Sequence, residues 1–217
     1  MNDARARKRS AQLQTRVADE VSIALGCQMT LEHAAVIETQ RLRLRRWHDS
    51  DLPALARWNA DPRFMRHMGR GPLSSVESTA ALARYQSHWS QYGFGLLAVE
   101  DRATGVLIGR AGPQFHRLWP TDPEVGWGFD PDWWGMGLAT EAGAACVRWA
   151  FGDLDIHRLV SITTPDNVAS RRVMEKLGLP FVDEIFDPVL GIALVLHARE
   201  RIAPPRSAPH AGGRRPR

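Results

Sequence analysis

A mixed α/β fold, built on a mostly antiparallel twisted sheet with helices on both faces, is what this 217-residue chain predicts, and three observations predict it. FGLLAVED is followed by GVLIGRAG, two apolar runs joined by Arg102, Ala103 and Thr104 with Gly105 as the turn residue, which describes an antiparallel meander. Residues 124–178 then follow as strand, glycine-punctuated turn, helix, strand and short helix. FVDEIFDP and GIALVLHARE close the patterned region as a strand pair. This succession gives an α+β sheet and not a doubly wound parallel one.

Taken in order, residues 1–35 form an extension with a basic, polar start and room for one helix in VADEVSIALGCQMTLEHAAV. The domain spans residues 36–201. In ETQRLRLRRW, Leu42 and Leu44 alternate with arginines as in a half-buried strand. HDSDLPALARW follows with a capping Ser50 or Asp51 and helical spacing of Leu52, Leu55 and Trp58. A longer helix begins at Ser74 or Ser75 with Glu77 and Ser78, runs through Ala81, Leu82, Tyr85 and Trp89, and is stopped by Gly93 and Gly95. After the meander, PQFHRLWPTDP is a proline-bounded loop and EVGWGFD a strand ending at Pro131. The next helix carries the apolar stripe Ala139, Ala142, Cys146, Trp149 and Ala150, and Gly178 ends the last helix as a left-handed residue after Leu177. Residues 202–217 are rich in Pro, Gly and Arg with almost nothing to bury, and are expected to be disordered.

A hydrophobic fraction of 44% suits one soluble domain with a sizeable core. The net charge of +4 would suggest a polyanionic partner, but residues 1–10 contribute +3 and residues 202–217 contribute +4, leaving about −3 between them. That distribution argues against a nucleic-acid partner. Cys27 and Cys146 are far apart and without CxxC spacing, which supports neither a disulfide framework nor a zinc cluster and places the protein in a reducing cytoplasm. No apolar stretch is long enough to span a bilayer, and the arginine-rich start lacks the apolar core of a secretory signal.

The chemistry concentrates around two segments. At the turn, Trp134, Gly135, Met136 and Gly137 lead into Leu138, Ala139 and Thr140, so that main-chain N–H groups face outward at a helix start. Unpaired donors and the positive end of the helix dipole favour a phosphate group there. The turn is neither GxGxxG, since Thr140 stands at the third glycine, nor a Walker loop, since no lysine follows. In EVGWGFD, period two puts Glu124, Gly126, Gly128 and Asp130 on one face and Val125, Trp127 and Phe129 on the other. The side-chain-free positions 126 and 128 leave space for an extended ligand arm against the strand, or accommodate a bulge or a neighbouring aromatic. Asp122, Glu124, Asp130 and Asp132 form a run of carboxylates that suits a cationic amine or a solvated loop.

With these motifs in place, the chain resembles the GNAT superfamily of acetyl-CoA-dependent N-acetyltransferases, whose signature is [RQ]xxGx[GA] at a strand-to-helix turn. Gly137 and Ala139 match it, while Trp134 replaces the basic or amide residue and leaves pyrophosphate binding more dependent on main-chain amides. ETQRLRLRRW, DPRFM, GRAG, WGMGLATEA and DNVASRRVMEKLGL are similar to the RimJ/RimL-like branch, named for enzymes that acetylate N-termini of ribosomal proteins. The likeness runs from about Ile37 to Arg199.

The resemblance implies a GNAT-like acyl-CoA N-acyltransferase fold and acetyl-CoA as cosubstrate without a metal. It implies acetyl transfer to a primary amine, on a protein N-terminus or a small molecule, by direct attack in a ternary complex. Trp127, Gly128 and Phe129 would flank the pantetheine arm, with a strand amide facing the thioester carbonyl. Residues 134–140 would hold the diphosphate, and the Asn167 side chain would touch CoA, although Asp166 or Asn167 also suits a helix N-cap. Glu124 is the first choice for the base, directly or through water, with Glu184 in reserve. The tyrosine that many members use to protonate the thiolate is replaced by Met174, and Tyr85 and Tyr92 lie well upstream, so Ser170 or solvent supplies that proton. Arg171 and Arg172 reach phosphates or are solvated, and His116 and His157 lack metal-ligand spacing. The expected partners are acetyl-CoA and an amine, with no membrane, and a homodimer is allowed. Two alternatives stand beside this reading: a non-catalytic acyl-CoA-binding or regulatory module, suggested by Trp134 and the missing tyrosine, and an RNA- or ribosome-associated protein using both basic ends.

Overall fold

The computed structural model describes residues 35–201. The extension expected over residues 1–35, apart from its last residue, and the tail over residues 202–217 lie outside the described residues. One eight-stranded sheet has the order β1-β2-β3-β4-β5-β6-β8-β7. Its strands are β1 (Ala35–Glu38), β2 (Leu42–Arg45), β3 (Leu97–Asp101), β4 (Leu107–His116), β5 (Trp119–Phe129), β6 (Arg158–Thr163), β7 (Phe181–Asp187) and β8 (Ile192–Glu200). Neighbours are antiparallel except β5 and β6. The helices are α1 (Leu52–Asn59), α2 (Pro62–Met65), α3 (Ser75–Tyr92), α4 (Leu138–Gly152) and α5 (Val168–Lys176). This is the mixed sheet that the sequence predicts.

Strand alternation sends the apolar residues to two cores. Leu97 and Val99 of β3 join Leu42, Leu44, Ile108 and Val125 beneath Ala142, Cys146 and Ala150 of α4 and Met174 of α5. Ala98 points the other way, toward Leu55 and Trp58 of α1, Phe64 of α2 and Leu82 of α3. The predicted stripe of α4 faces the first core, with Ala142, Cys146 and Ala150 fully buried and Ala139 and Trp149 packed against it. At the start of α3, Ser74 Oγ accepts from Glu77 N at 3.3 Å and Glu77 Oε2 accepts from Ser74 N at 2.8 Å; the helix ends on Gly93 at φ 73°. Helix α5 ends with Gly178 at φ 71°, and the bonds Leu179 N to Met174 O (3.0 Å) and Gly178 N to Glu175 O (3.0 Å) complete a Schellman closure.

Three local expectations are corrected. ETQRLRLRRW is a hairpin and not one strand: Thr39 N donates to Leu42 O at 2.9 Å, turning β1 into β2. PQFHRLWPTDP is not a loop but the paired arms of β4 and β5, with His116 opposite Trp119. Its prolines are tolerated because β4 pairs with β3 only as far as Ala111 and β5 meets β6 only at Glu124, so Pro113, Pro120 and Pro123 lie along sides that need no donor. Asp51 does not cap α1. Its carboxylate is drawn to the buried Arg45 guanidinium at 2.7 and 2.8 Å, with Glu100 on the same arginine at 2.6 Å, because a buried cation left unpaired costs far more than an uncapped helix end.

Candidate active site

β5 and β6 share a single register pair, Glu124 with Val160. β6 keeps β8 along its whole length, from Arg158 opposite Glu200 to Thr163 opposite Val195, and β5 keeps β4 from Glu124 to Phe129. Held on their outer sides, the two strands part beyond that pair, with the Ser161 hydroxyl donating to Val125 O at 2.9 Å at the neck. Main-chain groups of β5 on its β6 side are thereby left for another partner.

The same strand delivers the chain to the glycine turn. Gly135 and Gly137 both adopt φ 77°, a left-handed conformation that other residues resist, and Gly137 is the N-cap of α4 without a side-chain cap. The N–H groups of Leu138, Ala139 and Thr140 therefore have no intrahelical acceptor. Leu138 is buried, so only its main chain is presented, while Met136 is 53% exposed. Trp134, 52% exposed, ties its indole N–H to Phe129 O at 2.7 Å. Trp127 is half-buried, with its ring packed against the main core beside Gly143 of α4.

Arg41, in the β1–β2 turn, reaches this site from far away in sequence. Its Nη1 donates to Met136 O at 2.9 Å, its Nε to Glu141 Oε2 at 2.7 Å, and its backbone N to Glu141 Oε1 at 2.9 Å. A cation thus stands beside the turn whose signature arginine or glutamine is missing. No local motif announces it.

On the opposite face of β5, Glu124 is buried at the neck of the splay. Burial pushes its carboxyl up to about 7, against a hydrogen bond from the Gln114 side chain, the positive charge of Arg110 and the Ile162 N–H, each of which pulls it down. Gly126 beside it is open: a Cβ there would meet only Glu124 Oε1, at 3.8 Å. At Gly128 a Cβ would lie 3.0 Å from Phe64 Cζ, so this position accommodates a neighbouring aromatic, the alternative to space for a ligand arm. Opposite Gly128, Arg110 lies over the rings of Phe64 and Tyr85 at 5.4 and 5.5 Å and donates to the Tyr85 hydroxyl. His67, ahead of α3, reaches the residue that follows β6: its Nδ1 is 2.9 Å from Thr164 Oγ1.

The remaining candidates are dispersed. Asn167 caps α5, accepting from Ser170 N at 3.2 Å and donating to Thr163 Oγ1 at 2.8 Å. The half-buried Ser170 hydroxyl makes no hydrogen bond among the described residues. Met174 is buried in the core and does not face the cleft. Glu184 is exposed on β7, at the sheet edge with β8 and β6 between it and β5, and is not brought to Glu124. Tyr92 packs with His88 and Phe115 at the far end of α3. His116 is held below its ordinary range by burial and by Arg117, with Asp187 opposing, and His157 is exposed. The run of carboxylates does not form one patch: Asp122 pairs with Arg158 at 2.5 Å, Asp130 with Arg57 at 2.7 Å and the Trp58 indole at 3.0 Å, and Asp132 faces Arg63 at 4.0 Å. Among the described residues no cluster of His, Cys, Asp or Glu could hold a metal ion, and no helix is long and apolar enough to cross a membrane.

Residues 41–180 match the family described as acetyltransferase (GNAT) domain. The chain is 26% identical over 144 residues to the N-acetyltransferase YnaD of Bacillus subtilis, an alignment covering 66% of this chain and 81% of that protein. Its fold matches that of the acetyltransferase from Agrobacterium tumefaciens with a TM-score of 0.67 at 29% identity, covering 76% of this chain and 93% of the other. It also matches the spermidine N-acetyltransferase of Vibrio cholerae, solved in complex with CoA and spermine, with a TM-score of 0.63 over 75% of this chain and 97% of the other; at 18% identity this is a likeness of fold. The domain match covers more than half of the chain, from the turn that carries Arg41 to the closure of α5, so the protein belongs to the GNAT family and is an acetyltransferase of a family that uses acetyl-CoA.

Proposed function

We propose that this enzyme moves an acetyl group from acetyl-CoA to a primary amine by direct attack in a ternary complex, with Glu124 as the base. The carrying observation is a buried carboxyl, poised near 7, at the neck of the β5–β6 splay and beside the one open glycine of that face. The residues fit the cosubstrate. Nothing lies within 4 Å of a Cβ at Gly135, and one at Gly137 would meet only Arg41 Nη2 at 3.8 Å, so the diphosphate has room against the amides of Leu138, Ala139 and Thr140. Arg41 supplies the charge that Trp134 does not. The second amide hydrogen of Asn167 Nδ2 is left for a CoA contact after its bond to Thr163.

An amine enters as an ammonium ion and must lose a proton before it attacks. Glu124, with a pKa near the working pH, takes that proton and is itself half ionised at neutrality. The unpaired N–H groups of β5 facing β6 stabilise the negative charge that develops on the carbonyl oxygen. Ser170, at the start of α5, gives the proton that the departing thiolate needs.

Thiol release from acetyl-CoA with a panel of amines, including peptides with free N-termini as in the RimJ/RimL-like branch, tests the proposal across the neutral pH range. The wild type should show an acidic limb near pH 7, and Glu124→Gln should lower kcat/KM by ~100-fold or more with acetyl-CoA affinity preserved. An unchanged pH–rate profile in that variant would remove Glu124 from the mechanism, and failure of the protein to bind CoA in calorimetry would remove the cosubstrate.

A further inference from the structure

Arg110 differs from the arginines around it in how it is satisfied. Arg45 lies between Asp51 and Glu100, Arg57 reaches Asp130, Arg158 reaches Asp122 and Arg117 reaches Asp187. Arg110 is half-buried, yet its polar partners among the described residues are the Tyr85 hydroxyl and, at 3.6 Å, Met68 Sδ; no carboxylate lies within 4.0 Å of it. A guanidinium has five N–H donors in a rigid fork that matches a carboxylate. Two are engaged here, one by sulfur, a weak acceptor. The side chain is nonetheless fixed, because its guanidinium lies over the Phe64 and Tyr85 rings.

Position gives this fork a use. On the face that carries Glu124, β4 and β5 place three pairs in succession: Gln114 with Glu124, Gly112 with Gly126, and Arg110 with Gly128. Base and guanidinium stand at the two ends of this row, Glu124 about 13 Å along β5 from Gly128, the partner of Arg110, and their side chains reach inward far enough for the Arg110 charge to act on Glu124. Between them lies Gly126, where a side chain would find open space. Two of the carboxylates that would attract a polycation, Asp122 and Asp130, are neutralised by their own arginines.

We propose that the acceptor is an amine that also bears a carboxylate, with Arg110 binding the carboxylate at one end of the Gly126 floor while Glu124 faces the amine at the other. Arg110 is then the residue that determines acceptor specificity. The inference rests on the transferase reading above and adds the acceptor class to it.

The test compares three acceptors with the full-length enzyme in the thiol-release assay: an amino acid, its carboxamide, and a diamine of similar length. The wild type should favour the carboxylate over the carboxamide by about tenfold or more in kcat/KM, mostly through KM, because a charge-assisted fork is lost in the amide. Arg110→Met should collapse that ratio toward one, and Arg110→Lys, which keeps the charge but not the fork, should leave an intermediate ratio. A wild type that uses the carboxamide or the diamine as well as the amino acid overturns the inference while leaving the transferase reading intact, and this result needs no variant to fold. A carboxylate preference that persists in Arg110→Met also overturns it, assigning Arg110 to packing alone. Absence of thiol release with every amine overturns both readings.

Discussion

Replacing Glu124 by glutamine should stabilise the protein as it disables it, and the two effects have one cause. The carboxyl titrates at about 7 in the fold against an ordinary value of 4.5 because its charge is desolvated. A raised carboxyl pKa means that the folded state holds a proton the unfolded state has already released. The associated stability is complete below pH 4.5, falls as pH rises through 7, and is absent above it. At ~1.36 kcal/mol per pH step, the interval corresponds to ~3 kcal/mol. Glutamine has no charge to desolvate and still offers hydrogen-bonding groups to Gln114 and Ile162, so most of that amount should be recovered at high pH. For a domain of this size each kcal/mol moves Tm by roughly 2–4 °C, giving an expected rise of about 6–12 °C at a pH well above 7 and almost none near pH 4.5. Thermal melts of wild type and Glu124→Gln at the two pH values read the difference directly. An offset that is the same at both, or a variant less stable at high pH, would refute the placement of a desolvated charge at this position.

Three further outcomes are expected. Arg41→Ala should raise the KM for acetyl-CoA about tenfold and move Tm little, since its ion pair with Glu141 is 45% exposed on the arginine side and such pairs contribute ~0–1 kcal/mol; an unchanged KM would detach Arg41 from the diphosphate. Gly126→Val should fold normally, because a Cβ at this position has only Glu124 Oε1 at 3.8 Å, yet lose turnover by filling the floor between base and guanidinium; retained turnover would mean that the acceptor lies elsewhere. Ser170→Ala should lower kcat about tenfold with the acetyl-CoA KM unchanged in steady-state kinetics, and full turnover would assign the thiolate proton to solvent.

How much of this was legible depended on how local each signal is. The capping pair Ser74 and Glu77, the stop at Gly93 and the closure at Gly178 are short-range devices whose residue types dictate their conformation, and they are found where the sequence puts them. Period two sorted β5 into two faces, with Val125 and Phe129 in the main core and Glu124 and Gly126 opposite. Prolines misled, because a proline forbids a ladder bond only on the side where a neighbour exists, and β4 and β5 each lack one there. The clamp on Arg110, from Phe64, Met68 and Tyr85, and the reach of Arg41 to Met136 and Glu141 join segments far apart in the chain, and no periodicity carries such pairings. The burial of Glu124 was hidden for the same reason: at the start of EVGWGFD it could equally be a solvated edge residue, and it is buried between β4 and β6, where Gln114 and Ile162 bond to it.

The geometry at that contact explains why a costly arrangement persists. A parallel strand pair usually continues, since each further residue adds ladder bonds, and a buried main-chain group left without a partner costs ~1–3 kcal/mol. Here side chains at the gap take the place of ladder bonds: the Ser161 hydroxyl donates to Val125 O at 2.9 Å and the Ile162 N–H donates to the Glu124 carboxyl. The parting of the strands therefore begins where these side-chain bonds replace the ladder. A ligand with amide groups of its own, as the pantetheine arm has, supplies the missing bonds and recovers that free energy on binding. The Glu124 carboxyl lies buried at this same neck, with Gln114 and the Ile162 N–H bonded to it. Opening the strands for the acyl donor and burying the base thus meet at one place in the sheet, and a change that zipped β5 to β6 would close the donor site while leaving the carboxyl desolvated.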